Sequence, residues 1–153
     1  MRTRLLTLSW LFWIAFCLGV QAGSAKILKV LPQYLDEEGR HALSPSLYER
    51  DAYQYFLRKN PSKRGGLRFD VNWKAKGSKS ETLILRLELR SSGHDLSQPT
   101  VLERTVRPGR FFSKWSSLPL EQEAYESFGQ LIAWRATLWR GNQLLVEEKS
   151  YLW

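Results

Sequence analysis

Alternation of apolar and polar side chains, turn-forming residues between the alternating runs, and one interruption of helical character together predict a mainly β protein. The architecture they imply is a two-sheet sandwich of about seven antiparallel strands with a helical insert between the first two strands. The clearest run is Leu67-Arg68-Phe69-Asp70-Val71-Asn72-Trp73-Lys74, apolar at odd positions and polar or charged at even ones. Successive side chains of a strand leave on opposite faces, so the odd set meets a core and the even set meets water. Strands that each bury one face need a second sheet stacked on the first, or closure of the sheet on itself.

In chain order, the first feature is a leader. Arg2 and Arg4 precede a 16-residue apolar run, Leu5 to Val20, and then small residues, which is the pattern of a secretory signal. Cleavage after Ala22 is expected, with Ala25 as the second choice, and the run is short for a spanning helix. The expectation is a signal peptide over 1–22 and one domain over 23–153, secreted or periplasmic, with no transmembrane segment in the mature chain. Phe16 precedes Cys17 where lipidation needs a small residue. Cys17 is the only cysteine, so the mature chain has no disulfide and no thiolate ligand, and packing must supply its stability.

The first strand is expected from Lys26 to Leu31, ending before Pro32. The helical insert, about 44–60, opens at Ser44-Pro45-Ser46, where Ser46 and Glu49 have capping-box spacing. Arg58 and Lys59 suit its C-terminal end, and Asn60-Pro61 stops it. The second strand is the 67–74 run. The third alternates through Leu83, Leu85, Leu87 and Leu89 against Arg86, Glu88 and Arg90. The fourth runs from Thr100 to Val106, and Pro108-Gly109 then suits the central positions of a tight type II turn. The fifth is expected over Phe111 to Leu118, followed by a short helical turn within 121–128. The sixth sets Ile132, Trp134, Ala136 and Leu138 against Arg135 and Thr137, and the seventh is expected from Leu144 to Leu152.

Strand number and spacing, with Trp73 in the second strand and Trp134 in the sixth, resemble the immunoglobulin-like and fibronectin type III-like sandwiches. The chain lacks the paired cysteines of antibody domains, and its helical insert departs from the simple pattern. The resemblance implies a fold and no particular function.

Parity places Trp73 and Trp134 in the core. Around Gly141-Asn142, a two-residue loop pairs Arg140 with Gln143 and sets Trp134 opposite Lys149. One further loop residue pairs Trp139 with Gln143, Leu138 with Leu144 and Ala136 with Val146, keeping apolar opposite apolar, and is the expected register. Arg135 then faces Glu147 as an ion pair. Trp139, Tyr151 and Trp153 share the outward face. The expectation is that the insert, with Tyr48, Tyr53, Tyr55 and Phe56, covers two of these rings; the alternative is an exposed platform of the kind on which carbohydrate-binding modules stack sugars.

Catalytic chemistry finds no motif here. His41 and His94 lie in separate loops without metal spacing, and Asp36-Glu37-Glu38 lacks the alternation of a calcium loop. No glycine-rich phosphate loop and no G-x-S-x-G elbow occurs. A non-enzymatic protein without cofactor or metal is expected. Charge is the remaining signal: 23 basic residues against 15 acidic ones become 21 against 15, or +6, once Arg2 and Arg4 leave with the leader. If consecutive strands alternate in direction, the loops after the second, fourth and sixth strands emerge at one pole. They carry Lys74, Lys76, Lys79, Arg107, Arg110 and Arg140, with Trp139 beside them. Asp95, Glu121, Glu123 and Glu126 fall at the other pole, among Lys59, Lys63 and Arg64. These seven basic-pole residues are the candidate binding set, for an anionic glycan, a membrane surface or an acidic protein, with no specific nucleic acid partner.

Overall fold

The computed structural model describes residues 25–153 apart from Lys79, Arg110 and Phe111, and apart from the side chains of Glu121 and Gln122. The expected leader, its cleavage site and Cys17 lie outside the described residues. Seven strands and two helices follow in the order β1 (Ala25–Leu35), α1 (Leu47–Lys59), β2 (Gly66–Ala75), β3 (Leu83–Ser91), β4 (Thr100–Val106), β5 (Lys114–Glu121), α2 (Gln122–Glu126), β6 (Leu131–Arg140) and β7 (Gln143–Lys149). A short 3-10 turn, Pro61–Lys63, links α1 to β2.

The strands form two sheets, ordered β1-β2-β5 and β4-β3-β6-β7, and each neighbouring pair is antiparallel. The fold is a two-sheet immunoglobulin-like β-sandwich with one helix between its first two strands. Between the sheets lie Phe69, Val71 and Trp73 of β2, Leu83, Leu85, Leu87 and Leu89 of β3, and Ala136 and Leu138 of β6, all effectively solvent-free. Trp73 uses its polar edge as well, donating Nε1–H to Ser116 Oγ at 2.9 Å. An indole buried without such an acceptor leaves a costly orphan donor.

Helix α1 begins as its sequence dictates: Ser46 is the N-cap, its hydroxyl accepts from the backbone N–H of Glu49, and Asn60 ends the helix. Its place in the fold is set by Leu57, fully buried, and by Gln54. The Gln54 amide accepts from Tyr34 N–H at 2.8 Å and donates to the Tyr34 carbonyl at 2.9 Å, taking the role of a strand partner for the outer edge of β1. An open strand edge invites pairing with other chains, and at Tyr34 this one is closed from within. The helix therefore caps β1 instead of covering the outward rings. Tyr48, Tyr55 and Phe56 remain exposed, whereas Tyr53 donates its hydroxyl to Asp36 Oδ2 at 2.6 Å.

Several local expectations are corrected. β1 continues through Pro32 because it is an edge strand, where a missing N–H is tolerated. The segment after β4 is no tight turn: it crosses from the second sheet to the first over residues 107–113, and Gly109 is not among the glycines with positive φ, so the type II geometry is absent. β5 accordingly begins at Lys114, not Phe111, and β7 ends at Lys149, before the turn at Tyr151–Leu152.

The β6–β7 hairpin also differs. Arg140 pairs directly with Gln143 around a two-residue loop, with Gly141 at φ +53°. Tight hairpin loops require that left-handed conformation at their first position, and glycine supplies it without strain. Apolar matching is restored one step later, where a bulge shifts the register so that Leu138 pairs with Val146 and Thr137 with Glu147. Arg135 still reaches Glu147, diagonally, at 3.7 Å. At the other end of β6 a second bulge, between the pairs Arg90–Ala133 and Ser91–Leu131, leaves Ile132 over and 39% exposed, while Ala133 is buried. Trp134 is half-buried against the core, less deeply than its parity predicts.

Candidate functional site

Strict antiparallel pairing brings the three connections 76–82, 107–113 and 141–142 to the pole from which Ala25 enters β1. Side chains tie these connections together. Arg140 donates Nη2–H to the Lys76 carbonyl at 2.9 Å and pairs with the Glu81 carboxylate, while Lys114 Nζ donates to the carbonyl of Arg107 at 2.9 Å. Gly77 lies so close to Pro108 and Glu81 that a Cβ there would stand 3.0 Å from Pro108 Cγ and closer still to the Glu81 carboxylate.

Of the seven candidate residues, Lys74, Lys76 and Arg107 stand exposed at this pole. Lys79 and Arg110 lie outside the described residues. Arg140 is there, yet its charge is taken up by Glu81, the only carboxylate that these connections contain. Trp139 lies on the outer face of the second sheet, half-buried. Its Nε1–H goes to Thr137 Oγ1 at 2.9 Å, and the Arg86 guanidinium lies 5.6 Å from the ring centroid. That ring is furnished with partners from its own sheet.

The register of β1 on β2 adds residues that the sequence reading did not select. Lys26 is the direct partner of Lys74, and the next outward row is Lys29, Asn72 and Trp115, one from each strand of the first sheet. Like charges directly opposed across a sheet repel, so this pair lowers stability unless an anion is present. Trp115 is 54% exposed and Phe112, just before it, 83%. Lys26 and Lys74 are 48 positions apart, and only the sheet order makes them neighbours. Periodicity alone gives each one's face but not its partner.

The opposite pole is wired internally. Burial by itself would raise the pKa of Asp36. The hydrogen bond from Tyr53, those from the Arg40 N–H and guanidinium, and the Arg40 charge outweigh burial and hold it at about 2. His41 is held below the usual imidazole range, first by burial and then by the charge of Arg68. Ser117 donates to Asp70 Oδ1 at 2.5 Å, and Asp70 also pairs with Arg68. His94 lies at 3.5 Å from Ser91 Oγ, with its ring beside Phe128. Among the described residues no three His, Cys, Asp or Glu side chains are grouped to hold a metal ion, and no helix is long and apolar enough to cross a membrane.

No protein-family model matches the chain, and no curated protein shows significant similarity to it.

Proposed function

We propose that the chain is an exported, non-catalytic interaction domain that docks an anionic partner through the pole built from the 76–82, 107–113 and 141–142 connections and the adjoining ends of β1 and β2. The observation that carries this reading is the Lys26–Lys74 pair, two exposed cations held opposite one another with the pole's single loop carboxylate already engaged by Arg140. A protein that needed only solubility would gain more from alternating charges at these positions. Cations gathered within about one Debye length, roughly 8–10 Å, act on a partner as one field that salt screens steeply. The leader pattern of residues 1–22 supports export, and the sandwich architecture by itself implies no function.

The test is retention of the domain on an anionic matrix and on envelope preparations across a salt series. Combined reversal by Lys26→Glu, Lys74→Glu and Lys76→Glu moves elution to markedly lower salt. Unchanged elution rejects the pole as the docking surface.

A further inference from the structure

Resting on that reading, we infer that the partner of the basic pole is an anionic lipid surface, met by the outer face of the first sheet with Trp115 and Phe112 entering the headgroup layer. The sheet presents Lys26, Lys29 and Lys74 in adjoining outward rows, and Trp115 shares the row of Lys29. Phe112, 83% exposed, lies three residues before Trp115 in the connection that leads into β5, and Leu28, in the bulge of β1, is 51% exposed. Ammonium groups interleaved with protruding aromatic and aliphatic side chains match a bilayer interface, where the charges meet lipid phosphates and the rings lie at headgroup level.

The kind of cation points the same way. Lysine is a compact charge without a fixed donor fork, suited to a field of mobile phosphates, whereas arginine favours a fixed planar anion that it can grip at two points. On the pole-proximal rows of this face the cations are Lys26, Lys29 and Lys74, while Arg68, further along β2, is paired with Asp70. A fixed sulfate or an acidic peptide calls for the second kind of donor; of the pole's described arginines, Arg140 is turned to Glu81 and Arg107 lies in the 107–113 connection, off the paired rows that carry the lysines.

Chain connectivity supplies an independent reason. Ala25 pairs with Ala75 at this same pole, and only four residues separate it from Val20, the end of the apolar run. Four residues, crossed by five Cα–Cα steps, span at most about 18 Å. While that run is attached and held in a bilayer, the lysine face stays within reach of the headgroups.

The experiment is vesicle co-sedimentation of the chain from Ala25 onward, which contains all seven strands and the whole core. Vesicles of phosphatidylcholine alone are compared with vesicles containing phosphatidylglycerol, and retention on heparin is measured in parallel. Binding is expected only to the phosphatidylglycerol vesicles. The double variant Phe112→Ser, Trp115→Ser is expected to weaken it about tenfold, by loss of two interfacial rings, while heparin retention stays unchanged; both sites are exposed, and an unaltered thermal melt verifies the fold. Lys26→Glu with Lys74→Glu is expected to reduce both readouts. If the lysine reversal lowers heparin retention but the native domain ignores anionic vesicles, or the aromatic double variant binds them normally, the lipid inference is overturned and an anionic glycan or acidic protein takes its place. If the lysine reversal changes neither readout, the docking pole itself is wrong.

Discussion

The two outer faces of the sandwich use the same ingredients, cations and tryptophans, and wire them oppositely. On the second sheet, Arg86 pairs with Glu103 and Arg135 with Glu88, each at 2.5 Å, and the Trp153 ring lies 4.2 Å from the Arg90 guanidinium and 4.9 Å from that of Arg135. Every one of these charges has an acid or a ring provided by the fold. On the pole-proximal half of the first sheet, Lys26 faces Lys74, Lys29 faces Asn72, and Trp115 stands beside them more than half exposed. Aromatic–cation composition therefore does not mark a binding face. What distinguishes the faces is that the second sheet's cations have acids or rings of the chain beside them, while Lys26 and Lys74 face each other.

The sharpest way to break that comparison is through its tryptophans. Trp73 is 1% exposed with its indole N–H satisfied by Ser116, so Trp73→Ala is expected to cost about 3–5 kcal/mol. Trp115→Ala removes a ring that supports no core and is expected to cost less than about 0.5 kcal/mol. Urea denaturation of both variants measures the contrast. Similar losses would mean that Trp115 is structural and that the first sheet's outer face is no more open than the second's.

A second contrast concerns charge. Arg135→Ala strands the Glu88 carboxylate, whose side chain is only 14% exposed, and uncovers one face of Trp153. The expected loss is about 1–2 kcal/mol, the cost of a partly buried acid deprived of its donor. Lys29→Ala on the other sheet strands nothing and should leave the denaturation midpoint unmoved.

The Asp36 cluster shows internal wiring through its response to pH. Its folded pKa, about 2, lies below the ordinary aspartate value of 3.8. A depressed carboxylate stabilises the fold above its unfolded pKa, and that contribution disappears as pH falls from about 4 through about 2. The stability difference between the native chain and Asp36→Asn should therefore be constant from neutral pH down to about pH 5 and then shrink by about 1–2 kcal/mol as the acid protonates. A difference independent of pH across that window would show that Tyr53 and Arg40 do not favour the charged form.

Strand number, the buried tryptophan of β2, the capped insert and the polar meeting of loops were legible in the sequence because each follows from local period or from strict alternation of strand direction. Ile132 and the β6–β7 loop were misread for one reason: a bulge lets a strand change parity within a residue, and parity reasoning has no term for it. At the hairpin, the conformational demand of a two-residue loop set the turn, and the bulge then recovered the apolar match. Lys26, Lys29 and Trp115 escaped notice because their significance lies in pairing across β1, β2 and β5, which requires the sheet order. Arg140 was counted as a binding cation because its tie to Glu81 spans 59 positions.

The smallest expected effect bears most directly on how the two faces differ. Lys74→Glu replaces two opposed cations by an ion pair with Lys26, so the variant should be slightly more stable than the native chain, raising the melting temperature by about 1–3 °C at low salt. The gain should shrink as salt rises, because both side chains are exposed and the repulsion that is relieved is already screened. A Lys26→Glu, Lys74→Glu double variant restores like-charge opposition and should lose the gain, which ties the effect to this pair and not to net charge. On the second sheet the analogous reversal, Arg86→Glu, sets Glu against Glu103 and should destabilise. Opposite signs on the two faces are what the proposed docking surface requires: the fold would give up stability at Lys26 and Lys74 that a bound anion would return. A native chain more stable than Lys74→Glu at low salt would mean that the lysine face is already neutralised from within, and the two faces would then be alike.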